Sequence, residues 1–240
     1  MYAYLVYYVL GFVMIPGIML GIFAQIKVNS TFNEYNKIST TRGRTAKEVV
    51  KLMLNGAGYH QTKVQEISGE LTDNYNPKTD IVSLSETVAN QNSISAIGIA
   101  AHEVGHVFQH KQNYAPLKIR SALVPVLNIS SFFMWPLIIL GLIFEVGYVA
   151  TWATVLIYIG LGVYALNTVF CLITLPVELN ASKRAYKMLV ATNKMSTEEA
   201  NSAKKVLNAA AWTYVAALIT SILSLIRVLL FIFTMRGDRN

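Results

Sequence analysis

Long reaches of this chain carry no charge, and this constrains its fold more than any other feature. No Asp, Glu, Lys or Arg occurs from Met1 to Ile26; Glu145 and Glu178 are the only charges between Arg120 and Lys183; Arg227 is the only one from Val206 to Met235. The 240 residues are 54% hydrophobic and 14% charged, whereas a soluble domain carries about a quarter charged residues. Apolar stretches of about 20 residues read as transmembrane helices, because a helix satisfies its own backbone polar groups in lipid. Four are predicted: Tyr2–Ile26, Ala122–Phe144, Val149–Leu175 and Leu207–Phe233. The first lacks a basic flank and is long for the apolar core of a signal peptide, so it reads as a retained N-terminal anchor.

These stretches divide the chain into 1–26, 27–120, 121–175 (holding spans two and three), 176–206 and 207–235. Most of the 20 Lys and Arg fall in 27–120 and 176–206, which two spans separate and which therefore face one side. The positive-inside rule makes that side the cytoplasm, with both termini outside and the turn near Glu145-Val146-Gly147-Tyr148 also outside. The net charge of +7 thus follows from topology and anionic headgroups, and nucleic acid is not an expected partner. Cys171 is the single cysteine, which excludes an intrachain disulfide and a Cys-based zinc site.

Local signals place elements in the polar segments. Thr45 and Glu48 form a capping box before Val49, Val50, Leu52, Met53 and Leu54, with Gly56 as a stop. Val64–Ile67 and Ile81–Ser85 read as strands, and Asn74-Tyr75-Asn76-Pro77 between them as a turn. Asn92 or Ser93 opens a helix running to about His110, whose small residues Ala96, Gly98, Ala100 and Ala101 allow close approach by neighbouring helices. A second capping box, Ser196 with Glu199, starts the helix that leads into span four.

That helix from Ser93 carries His102-Glu103-Val104-Gly105-His106. Residues four apart share a helical face, so both imidazoles can reach one ion, with Glu103 placed to serve as base to a water there; this is the H-E-x-x-H arrangement of zinc proteases. A catalytic zinc takes three protein ligands and keeps a position open. The third could be His60, His110 or a carboxylate. His110 lies two turns, about 12 Å, from His102, and His60 falls in a turn-like stretch that reads as surface. Glu178 is favoured: it lies on the same side of the membrane, at the end of an apolar span where a carboxylate is costly without a cation. Its other reading is a carboxylate at the water boundary. The strand Ile81–Ser85 offers either an edge for a substrate strand or a cap for the small domain.

Several stretches resemble a known family: GELTDNYNP at 69–77, Leu84-Ser85, SISAIGIAAHEVGH at 93–106, YAPL at 114–117, RSALVP at 120–125, LPVE at 175–178 and AKKVLNAA at 203–210. Together they resemble the YugP-like neutral zinc metallopeptidases of bacteria, similar at the site to the HtpX and CAAX-prenyl types, over nearly the whole chain. In those relatives a glutamate in an E-x-x-A-D context is the third ligand, which implies Glu178; here Glu178-Leu179-Asn180-Ala181-Ser182 keeps Glu and Ala. Ser182 stands where the relatives carry Asp, Asn180 where the YugP-like pattern has Asp, and Asn74 where it has His. These departures fall beside the ligands, not on them. Arg184 is a candidate to contact an oxyanion or a carboxylate.

The expected fold is a mainly α integral membrane protein, with about four transmembrane helices and a small α+β, zincin-like cytoplasmic catalytic part. The resemblance implies a Zn2+-dependent endopeptidase in the bacterial plasma membrane, with His102, His106 and Glu178 as ligands, Glu103 as base, and peptide or membrane-protein substrates. Alternatives are a zinc-binding scaffold or partner of a larger protease, and a site-2-type intramembrane protease. The latter needs an Asp in a span, and Asp73, Asp80 and Asp238 all lie outside the spans.

Overall fold

The computed structural model describes residues 9–146 and 150–237. It is mainly helical with one small sheet. A 3-10 helix, Leu10–Met14, leads into α1 (Ile15–Asn36); then come α2 (Ala46–Gly56), β1 (Lys63–Ile67), β2 (Asn74–Asn76), β3 (Ile81–Ser85), α3 (Glu86–Ala89), α4 (Ile94–Lys111), α5 (Ala115–Val146), α6 (Ala150–Ala191) and α7 (Thr197–Gly237). The chain forms two compact units, Met1–Ile22 with Lys118–Leu175 and Tyr214–Asn240, and Phe23–Leu117 with Pro176–Thr213.

Among the described residues, three helices are long and apolar enough to cross a bilayer: Gly11–Asn36, Tyr158–Ala191 and Thr197–Leu230. Each window is only 11% buried, and residues such as Ile18, Met19, Leu172 and Ile222 are exposed, as lipid-facing surfaces require. The stretch Ala122–Phe144 is helical within α5, which accommodates Pro125 and Pro136. The start of the first expected span and Gly147-Tyr148 of the expected outer turn lie outside the described residues. Within the first unit, Gly17 of α1 abuts α7: a Cβ there would stand 2.9 Å from Thr220 Oγ1. Thr168 of α6 donates to the carbonyl of Ser221 at 3.3 Å.

The second unit has its own core. In α2 the buried residues are Ala46, Val49, Val50, Met53 and Leu54, the spacing of one helical face. They join Val82 and Leu84 of β3, Val88 of α3, Ile97, Ala100, Val104 and Val107 of α4, Leu189 of α6 and Ala203 and Val206 of α7 in one cluster. The Thr45–Glu48 capping box forms in both directions. The helix ends at Gly56, and the left-handed residue beyond it is Gly58, φ +77.

Two expectations for the sheet are corrected. Asn74-Tyr75-Asn76 is not a turn but strand β2, antiparallel to β3 through Asn74↔Ser83, Tyr75↔Val82 and Asn76↔Ile81. β3 is not an edge, because β1 pairs with its other side in parallel from Lys63↔Ile81 to Ile67↔Ser85. Over Ile81–Ser83 both rows of backbone groups are engaged, so β3 cannot take a substrate as an added strand along those three residues. Asn74 shows why local composition misled: its side chain donates to the carbonyl of Thr72 at 2.9 Å, a turn-like contact just before the strand.

Candidate metal centre

The helix bearing the motif is fixed at both ends. Ser93 caps α4 by accepting from the Ala96 N–H at 3.2 Å, and its hydroxyl donates to Asn36 at the end of α1 at 2.6 Å. Ser95 donates to the carbonyl of Phe32 at 2.8 Å. At the other end, the Tyr75 hydroxyl bridges His110 Nδ1 and Asp80, each at 2.9 Å, and Lys111 reaches Asp80 at 2.6 Å. His110 therefore serves the sheet and not the ion. His60 is exposed, 3.2 Å from Asn55.

Across from the motif runs the segment of α6 that carries Glu178, and Gly105 governs the approach. A Cβ at Gly105 would stand 2.4 Å from the carbonyl oxygen of Ala181, a contact no side chain can make. Gly98 allows a similar approach to α7, where a Cβ would meet Ala203 Cβ at 3.2 Å. The glycine inside the motif and the alanine inside the E-x-x-A context are thus one packing contact, and it brings the acidic group to the imidazoles.

The three expected ligand side chains converge. His102 Nε2 and His106 Nε2 are 3.2 Å apart, and Glu178 Oε2 lies 3.1 Å from the first and 3.5 Å from the second. Two ligands about 2.0–2.1 Å from a tetrahedral zinc stand about 3.3–3.4 Å apart, so these separations are those of three corners of its coordination shell. The donor set of two imidazoles and a carboxylate suits that ion. Glu178 is buried, and the rings of His102 and His106 are mostly so, their side chains 16% and 12% exposed. Such a group is costly to enclose without a cation.

Glu103 is buried beside this group. Burial pushes its carboxyl pKa up and the neighbouring imidazoles of His106 and His102 pull it down, while Glu178 and Asp73 push it up again; the outcome is a raised value. Burial pulls the His106 pKa down, but the hydrogen bond to Glu178 and the charges of Glu103 and Glu178 outweigh it and leave it raised. Asp73, which neighbours Glu103 electrostatically, is held by the Ser85 N–H at 2.9 Å and the Ser85 hydroxyl at 3.0 Å.

Behind the ligands, His102 Nδ1 lies 3.1 Å from the Ser182 hydroxyl, and His106 Nδ1 is 3.0 Å from Gln109 Oε1. Gln109, fully buried, donates through Nε2 to the carbonyl of Val177 at 2.8 Å and to Asn180 Oδ1 at 3.1 Å. Arg184 Nε donates to the same Asn180 oxygen at 2.7 Å; its guanidinium also bonds Gln112 and lies over the Tyr114 ring at 5.8 Å. Arg184 thus contacts amides and a ring, not the carboxylate considered for it. Ser182 and Asn180, flagged in the sequence as departures from the family pattern, both stand behind the ligands. Gln109 and Gly105 were not singled out. Three residues past a ligand histidine is a helical-neighbour position, and that spacing was the signal for Gln109.

A helix presenting two histidines one turn apart with a glutamate between them, facing a carboxylate on a second helix, is a group that can hold a metal ion. The chain belongs to the family described as "Putative neutral zinc metallopeptidase", whose profile matches residues 10–233. It is 39% identical over 229 residues, 95% of this chain and 98% of the relative, to the "Putative membrane protease YugP" of Bacillus subtilis (strain 168). No solved structure matches the chain. Zinc is the cofactor: the family is one of zinc peptidases, and the buried His/His/Glu group is positioned to bind the ion.

Proposed function

We propose that the chain is a multi-pass membrane endopeptidase that hydrolyses peptide bonds of membrane or membrane-proximal proteins from the cytoplasmic side. The observation that carries this is the convergence of His102, His106 and Glu178 around one point with Glu103 buried beside them. His102, His106 and Glu178 are the metal ligands. Bound there, zinc supplies Lewis acidity, which acidifies water and polarises a peptide carbonyl. Glu103 takes the proton from the attacking water and delivers it to the leaving amine.

The chain has four spans in this reading, with 27–120 and 176–206 as its cytoplasmic segments. The distribution of Lys and Arg supports this arrangement. So does the meeting of His102 and His106 with Glu178, because an even number of crossings must separate residues that share one site. As α6 is long and apolar enough to cross, the reading has α5 cross as well. The protease name of the Bacillus subtilis relative supports a peptide or protein substrate.

Metal analysis paired with two substitutions tests the reading. Purified protein carries about one zinc per chain. Glu103→Gln retains the metal and loses cleavage of a mixed peptide substrate by about a hundredfold or more. Glu178→Gln binds zinc more weakly. Cleavage persisting in Glu103→Gln refutes the base assignment, and undiminished zinc in Glu178→Gln refutes the third ligand.

A further inference from the structure

We infer that Gln109, Asn180 and Arg184 form a positioning relay that fixes His106 as its Nδ1–H tautomer and ties it to the helix carrying Glu178. The argument rests on which groups can only donate and which can only accept. The Val177 carbonyl is an acceptor only, so the Gln109 atom 2.8 Å from it is the amide nitrogen. The other end of that amide, 3.0 Å from His106 Nδ1, is therefore the oxygen. It accepts, so His106 carries a proton on Nδ1, and Nε2 is the ring nitrogen that faces His102 and Glu178.

A second one-way group locks the far end. A guanidinium only donates, so the Asn180 atom 2.7 Å from Arg184 Nε is oxygen, and that same oxygen accepts from Gln109 at 3.1 Å. Arg184 is itself held by Gln112 and Tyr114. With an acceptor-only carbonyl and a donor-only cation at its ends, the relay has one possible polarity, and the usual ambiguity of amide and imidazole orientation disappears. His102 differs: its partner is the Ser182 hydroxyl, which can donate or accept. The two histidines are therefore unequal, one preset for the ion and one free to adapt. Both Val177 and Asn180 flank Glu178 on α6, so displacing that helix would disturb the His106 ring together with the third ligand.

The consequence for zinc rests on the metallopeptidase reading, but the tautomer can be observed in metal-free protein. The chain has 4 histidines, which makes nitrogen-15 histidine labelling tractable, with His60→Gln and His110→Gln to assign the signals. Once the pH is high enough for His106 to lose a proton, two-bond nitrogen–proton spectra of metal-free wild type show it as the Nδ1–H form. Gln109→Met gives a mixture of tautomers, and zinc affinity measured against a chelator falls about 10- to 100-fold. The absorption band of cobalt-loaded protein shifts, a change that a loss of packing away from the ion would not produce. Asn180→Asp, which still accepts from Gln109 and Arg184, keeps affinity closer to wild type than Asn180→Leu does. An Nε2–H His106 in wild type overturns the relay, as does a folded Gln109→Met with unaltered zinc affinity and cobalt spectrum. Should Gln109→Met fail to fold, equal affinities in the two Asn180 variants overturn it. A wild type that binds no zinc refutes the reading of the site instead, while the tautomer result stands or falls separately.

Discussion

At the scale of single residues, the site depends on an absent side chain as much as on those present. Gly105→Ala places a methyl group 2.4 Å from the Ala181 carbonyl oxygen, and the obstacle is backbone in a packed helix, so the helices must separate. The expected cost is about 1–3 kcal/mol or more, with weaker zinc binding because Glu178 moves away; thermal unfolding and chelator competition would check both. A Gly105→Ala protein with wild-type stability and affinity would show that the helices are not in contact there. Asp80 offers a pH-dependent case at the end of α4. Burial alone would raise its carboxyl pKa, but hydrogen bonds from Lys111, Tyr75 and Thr62 outweigh this and hold it below the ordinary 3.8. The folded value is the lower one, so the stabilisation is complete above the unfolded value and is lost as pH falls through the folded value. Asp80→Asn should cost about 1 kcal/mol at neutral pH. Its stability should decline less than wild type between neutral pH and the acid range, as seen by denaturant unfolding across pH.

At the scale of elements, what could be read in the sequence was what local chemistry determines. α4 begins after Ser93 because that hydroxyl caps it, and α7 begins after Ser196, whose hydroxyl accepts from the Glu199 N–H at 3.1 Å while Glu199 accepts from the Ser196 N–H at 2.7 Å. β3 has the expected bounds, Ile81–Ser85, since its β-branched and apolar residues fill the core. Its place at the centre of the sheet was not legible, because β2 is a strand only by virtue of its non-local pairing with β3. The site divides in the same way. The histidines of one turn follow from spacing alone, whereas the meaning of Gln109, Asn180 and Ser182 requires knowing that α6 lies against α4 at Gly105. Glu199 shows how a local signal can acquire a second role. Besides closing its capping box, it accepts from the Thr41 N–H at 2.7 Å, joining the loop after α1 to the start of α7. Glu199→Ala should therefore cost about 1–2 kcal/mol, the upper range for a cap, whereas Glu48→Ala, which removes the Glu48 half of the reciprocal box with Thr45, should cost less. Denaturant midpoints of the two variants compare them directly.

At the scale of the whole molecule, the metal centre and the membrane constrain each other. His102 and His106 precede α5 and Glu178 lies within α6. If α6 crossed the bilayer and α5 did not, the two histidines and the glutamate would sit on opposite faces and the group could not form. In the proposed arrangement α5 therefore crosses as well, despite Pro125 and Pro136, and the Lys and Arg of 27–120 and 176–206 favour the cytoplasm for the common face. Labelling can test the number of crossings and their direction together. In a Cys171→Ser background, where no other cysteine remains, Lys78→Cys and Lys187→Cys place single thiols at exposed positions in the two segments. Both should resist a membrane-impermeant maleimide applied to intact cells and react once the membrane is opened, while a reporter fused after Asn240 should be active outside. Labelling of one thiol but not the other in intact cells would mean an odd number of crossings between them, and with it the loss of Glu178 as a ligand. Labelling of both would keep the site but turn it outward, since the inward direction rests on the basic residues alone while the pairing of the two segments rests on the metal centre.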